Sequence, residues 1–277
     1  MVFRQDFLLL LSQPMSPTSY PHIDVGVSIN LGSSISPPVG SYLATQHSTD
    51  MMFFGSSLLA VISMLMLIWL KETLAVPQSF HPRFLLLKRN EVISANSILP
   101  ALVCGLSYMG FGVLITITPD QCVHLGMANK GLFFTSFTIC SVLSRLVAGT
   151  ISDRFGRIPV MKVAVVLLSI SYFIFGLAHS PETLLLASGF VGFSLGIVIP
   201  AVFAWTVDRS EDAERGKSLA TLFIDLELAI GMGAIIGAEI YANDHNNFKS
   251  AFIFTAAVTM LAFLFVREGE MKGSSRW

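Results

Sequence analysis

Seven apolar runs dominate the chain, at about 51–70, 94–118, 131–152, 158–178, 183–207, 217–241 and 249–266. Each is close to the ~20 residues that a helix needs to cross the hydrocarbon core of a bilayer. None shows the strict alternation of a half-buried strand. Lipid offers no hydrogen-bond partners, so a spanning segment must satisfy its own backbone, as a helix does. The pattern therefore predicts seven membrane-spanning helices. An eighth stretch, 23–45, is weaker. It holds Asp24, Asn30, several serines and Pro37-Pro38, and hydropathy alone would make it a loop.

The polar intervals divide these segments unequally. The longest, 71–92, carries Pro77, Pro82 and the basic cluster Arg83, Lys88 and Arg89. Such an interval suits a connection between two bundles. Within it, Phe84–Leu87 beside Lys88-Arg89 has the makings of a short helix on the membrane surface. The expected organisation is a lead-in at 1–22, two helices of a first bundle within 23–70, a cytoplasmic loop at 71–92, a six-helix bundle at 93–266 and a cytoplasmic tail at 267–277. The fold class is thus all-α and integral to the membrane, with about eight transmembrane helices.

Composition agrees. The 277 residues are 53% hydrophobic and only 13% charged, with a mean hydropathy of +0.70. A soluble domain carries about 25% charged residues, so this chain lacks the charge to cover a water-facing surface. The bilayer is its expected solvent and partner. A net charge of −1 gives no reason to expect a nucleic-acid partner. Cys104, Cys122 and Cys140 have no metal-ligand spacing, and no cofactor is implied. No phosphate loop, Ser-His-Asp arrangement or paired-histidine metal motif occurs, so neither an ATP-driven pump nor an enzyme is indicated.

Charge distribution supplies sidedness. With eight crossings and the first loop outside, thirteen of the seventeen Lys and Arg residues fall on one side, and only Lys130 and Lys249 on the other. Basic residues gather on the cytoplasmic side because that bias orients insertion. Both termini and the interval 153–157 are then cytoplasmic, in a cell membrane.

That interval is Gly149-Thr-Ile-Ser-Asp153-Arg154-Phe-Gly156-Arg157-Ile158. It resembles the signature loop of the major facilitator superfamily, G-x-x-x-D-R-x-G-R followed by a base. Gly149, Asp153, Arg154, Gly156 and Arg157 match; Ile158 departs. The run Lys130-Gly-Leu-Phe-Phe-Thr with Arg145 and Gly149 is similar to a bacterial subgroup of proton-coupled efflux and sugar-export carriers, with Leu146 where that subgroup has proline. Residues 32–41 resemble a glycine-proline pattern of the superfamily's exporters: Gly32, Pro37 and Gly40 match, while Ser36 and Ser41 replace glycine. The resemblance covers roughly 23–266. It implies a partial major-facilitator fold, the last two helices of an N-terminal half followed by a six-helix C-terminal half, with four front helices missing.

Several residues carry candidate chemistry. Arg145 lies about 12 Å along the helix from Asp153, inside or at the edge of the hydrocarbon. It either snorkels to the surface or answers an acidic group within the bundle. Asp225 and Glu227 lie about 15 Å into their segment, and about 200° apart around a helix, so only one can face a central cavity. The stretch Asp225-Leu-Glu-Leu-Ala-Ile-Gly231 is similar to a pattern of efflux-type carriers. Asp225 is therefore the expected proton-coupling carboxylate, with a static ion pair to Arg145 as the competing reading. Asp153, Arg154 and Arg157 are expected to hold an inner gate, with Arg215 or Lys217 as partners for Asp153. Gly231, Gly233 and Gly237 suggest close helix packing, as do Gly189, Gly192 and Gly196, and Pro200 a bend. Phe133, Phe134, Phe137, Tyr108, Phe111, Trp205 and Phe223 could line a cavity. His47, His124, His179 and His245 read as scattered and solvated.

The resemblance implies a secondary transporter moving a small organic molecule by alternating access, most readily by proton-coupled export. Two alternatives stay open: uptake of a sugar or organic acid, and a truncated, transport-inactive membrane protein.

Overall fold

A computed structural model of the protein describes residues 35–36, 39–40, 42–44, 46–68, 93–211 and 214–274. The lead-in 1–22, the interval 71–92, Gly32 and Pro37 lie outside the described residues, as does most of the weak eighth segment. The seven long helices are α1 Thr49–Leu67, α2 Ile98–His124, α3 Leu132–Phe155, α4 Arg157–Gly176, α5 Pro181–Asp208, α6 Arg215–Tyr241 and α7 Phe248–Ser274. No strand occurs among the described residues.

Six of the apolar stretches are long enough, as helices, to cross a bilayer, and the protein is a multi-pass membrane protein. Helix α3, of 24 residues, carries the apolar stretch Leu132–Ala148 among the described residues. Two boundaries differ from the sequence reading. Helix α2 continues through Pro119 to His124; a proline inside a membrane helix costs one amide bond, and neighbouring helices can re-satisfy the freed backbone. Helix α7 runs on to Ser274, past the expected start of a tail at 267.

Helices α2 to α7 form one bundle. The main pairs are α2 with α6 and α7, α3 with α5, and α4 with α5 and α7. Two apolar cores fill its two ends. One gathers Leu114, Phe133, Leu168, Leu195 and Phe252; the other Val103, Met161, Val165, Val202 and Leu222. Helix α1 is different, since none of its described residues is buried. Its Ser48 cap accepts from the Met51 amide at 3.2 Å, and Asp50 complements the positive end of the helix.

Between helices in lipid, apolar burial supplies little attraction, because lipid tails are as apolar as leucine. Close packing and interhelical hydrogen bonds must do the work, and both are visible. A Cβ on Gly233 of α6 would stand 2.0 Å from the Met109 carbonyl oxygen, and one on Gly112 of α2 would stand 2.1 Å from that of Ile230. The two backbones touch, and each helix gives a glycine to the contact. Gly237 continues it against Val113 at 3.1 Å. Helices α3 and α5 repeat the device: a Cβ at Gly192 would lie 1.9 Å from the Phe137 carbonyl oxygen, and one at Gly196 2.0 Å from Ser144 Oγ. Serines reinforce this pair. Ser136 Oγ donates to the Leu185 carbonyl at 2.7 Å and Ser188 Oγ to that of Phe133 at 2.6 Å. Gly231 differs from its neighbours, with nothing within 4 Å of its Cβ position, so the packing expected of it is absent. Pro200 lies on the exposed side of α5, which remains helical through it.

Gly192→Ala should therefore lower stability by about 1–3 kcal/mol through overpacking. Gly231→Ala should leave it unchanged or raise it by up to about 1 kcal/mol, since alanine is the better helix former. Thermal unfolding in detergent checks the pair; equal midpoints would contradict the packing described.

Candidate transport site and gate

Asp225 projects from α6 at the level where that helix crosses α2. Its carboxylate lies against Gly105 so closely that a Cβ there would meet Asp225 Oδ2 at 2.4 Å. Gly105 is the residue that admits the acid to the helix interface. No sequence signal singled it out, because one glycine in an apolar run says nothing about what faces it. Asp225 Oδ2 is buried and has no hydrogen-bond partner. The surroundings are apolar, with Cys104 beside Gly105 fully buried and Leu222 and Leu226 of α6 buried on the same face. Glu227, two residues on, is exposed. The geometric expectation that the two carboxylates part company is met, and Asp225 is the one turned into the bundle.

Arg145 does not neutralise Asp225. The ion pairs formed among the described residues join other partners, and Arg145 Nε is buried with no hydrogen-bond partner. Its guanidinium lies within electrostatic reach of Tyr108. Tyr108, Phe111 and Phe137 form a continuous aromatic wall from α2 to α3, with ring centroids 5.9 and 5.5 Å apart. Among the described residues, Asp225 and Arg145 thus stand unpaired on different helices. Of the other aromatic candidates, Phe133 and Trp205 belong to the cores, whereas Phe223 is 51% exposed.

The signature loop folds as a turn of one residue. Helix α3 ends at Phe155 and α4 begins at Arg157, with only Gly156 between them. Gly156 adopts φ 86°, ψ 152°, a region reserved almost entirely for glycine. The glycine is thus required by backbone geometry rather than by space, since the nearest atom to its Cβ position is Pro159 Cδ at 3.6 Å. Gly149 lies one and a half turns before the end of α3; the Asp153 side chain lies outside the described residues. Arg154 stands over the Phe155 ring at 5.5 Å. Arg157 Nη1 pairs with Asp208 Oδ2, joining the start of α4 to the end of α5. Lys217, an expected partner for Asp153, pairs with Glu214 at 3.3 Å. The fastening at this end is extended by Ser94, whose amide donates to Thr221 Oγ1 at 2.8 Å, and by Arg209 Nε, which donates to the Asn96 carbonyl at 3.2 Å.

Gly156→Ala should cost about 1–3 kcal/mol from backbone strain alone. Asp208→Asn, which removes a half-exposed pair, should cost less than about 1 kcal/mol. Denaturant titration of the two variants in detergent checks this ranking; a reversed order would contradict the account of the turn.

Residues 100–275 match the family model described as Major Facilitator Superfamily. The chain is 26% identical over 161 residues to the quinolone resistance protein NorA of Staphylococcus aureus, covering 57% of this chain and 41% of that protein. It is 29% identical over 174 residues to multidrug resistance protein 1 of Bacillus subtilis, covering 60% of this chain and 43% of the relative. The matched region thus spans about two fifths of each relative's length. The match extends from α2 through α7, over more than half the chain, and the protein belongs to the major facilitator superfamily of membrane transporters.

Proposed function

We propose that this protein takes part in proton-coupled export of small organic molecules across the cell membrane by alternating access. One observation carries the reading: the Asp225 carboxylate is held against Gly105 inside the bundle, with a buried oxygen and no counter-charge. An ionised carboxylate in such surroundings is costly unless paired. Taking up a proton removes the cost, and water on the other side of the membrane can receive it. A group whose charge state depends on which side is open is what coupling to a proton gradient needs.

Arg145 supplies the complementary charge. When the bundle rearranges around the α2–α6 contact, a transient approach of Arg145 or of a substrate group would favour the ionised acid and release the proton. The single-residue turn at Gly156 and the Arg157–Asp208 pair tie α3, α4 and α5 together at the end expected to face the cytoplasm. They act there as a rigid gate, opening as a unit. Export is favoured over uptake because both relatives are named for drug resistance. By the same likeness, a quinolone is a reasonable first substrate to test.

Efflux of a fluorescent quinolone from everted vesicles, driven by an imposed proton gradient, tests this directly. Asp225→Asn should abolish gradient-driven movement, and Glu227→Gln should retain it. Gly105→Ala, which displaces the carboxylate, should shift the pH at which transport is half-maximal. Gradient-driven movement that survives Asp225→Asn would remove Asp225 from the mechanism.

A further inference from the structure

The histidines that the sequence scatters come together in space. His124 ends α2, His179 lies between α4 and α5, and His245 lies between α6 and α7. All three line one recess of about 320 Å³, at the end of the bundle opposite the Gly156 turn. We propose that this recess binds a small oxyanion from the adjoining water, and does so when its histidines are protonated.

The charge of the lining is one argument. Lys249 joins the three histidines, and no carboxylate lines the recess. Lys249 forms no ion pair among the described residues. Asp244, next to His245, accepts from the Asn246 amide through Oδ1 at 2.9 Å, Asp120 hydrogen-bonds Tyr241, and Glu182 hydrogen-bonds Ser180. Tyr241 in turn meets His245 Nδ1 through its hydroxyl at 3.3 Å.

The floor is polar as well. Gln121 is 2% exposed and is one of the residues lining the recess. Its Nε2 donates to the Phe175 carbonyl at 3.5 Å, and its Oε1 is buried without a partner.

The other argument is a stack. The His124 and His245 rings lie face to face, with centroids 4.5 Å apart and planes 23° apart. Neutral rings tolerate this contact, but two imidazolium ions would repel across it. An anion in the recess would relieve that repulsion, so protonation and anion binding should each promote the other. This site is separate from the Asp225 machinery, and its test does not depend on transport.

Sulfate is the first probe, because it stays doubly charged throughout the range of interest. Calorimetric titration of the protein in nanodiscs of uncharged phosphatidylcholine should give saturable binding at about pH 5.5, at least about tenfold weaker at about pH 8. Lys249→Gln and His179→Asn should each weaken it, with helical circular dichroism unchanged. Discs containing phosphatidylglycerol separate the sources of the oxyanion. Unchanged sulfate affinity there points to a soluble anion, whereas histidine-dependent loss points to a lipid headgroup in the same recess. No saturable binding at acidic pH by the folded protein, equal affinity at both pH values, or indifference to both the lysine and histidine substitutions would overturn the proposal.

Discussion

Direct contact between helix backbones is the constraint on which this structure depends. Lipid gives helices no reason to associate through apolar burial alone, so the bundle gains its cohesion where atoms can approach most closely. Gly112 and Gly233 bring α2 and α6 into contact, and Gly192 and Gly196 do the same for α3 and α5. Both crossings have carbonyl oxygens where a side chain would otherwise sit. The first crossing also fixes the site, because the close approach of α2 and α6 carries Asp225 up against Gly105. Were the two helices separated by ordinary side chains, the carboxylate would reach lipid or water instead.

The helical, multi-pass architecture was legible in the sequence because apolar run length is read directly by the membrane. Six of the seven expected segments appear, among the described residues, as helices long and apolar enough to cross, and the seventh, α3, is a helix of 24 residues. Gly156 was legible as part of a motif, and its φ of 86° now gives the motif a physical reason. The close packing of Gly233 followed from small-residue spacing, its partner Met109 did not, and the same spacing misled for Gly231, since periodicity identifies a face but not its occupant.

What stayed hidden depends on contacts between distant parts of the chain. Gly105 is an ordinary glycine until Asp225 is placed against it. The expected alternative, an ion pair from Asp225 to Arg145, looked reasonable from depth alone; depth does not report direction around a helix, and the two groups remain unpaired. The three histidines looked like isolated loop residues because each belongs to a different connection, and only the bundle's antiparallel return brings those connections to one end. One end of the molecule is thus fastened by a tight turn and ion pairs, and the other carries a recess lined by three histidines and Lys249. Such a difference between ends suits a protein that faces two compartments.

The central claim is that these helices thread the bilayer, with the Gly156 turn on the cytoplasmic side and the histidine recess on the other. Labelling of single engineered thiols in intact cells by a membrane-impermeant maleimide tests it most directly, with the three native cysteines replaced. A thiol at Asn246 should react from outside, and one at Arg154 only after the membrane is made permeable. Reaction of both from the same side would contradict the account.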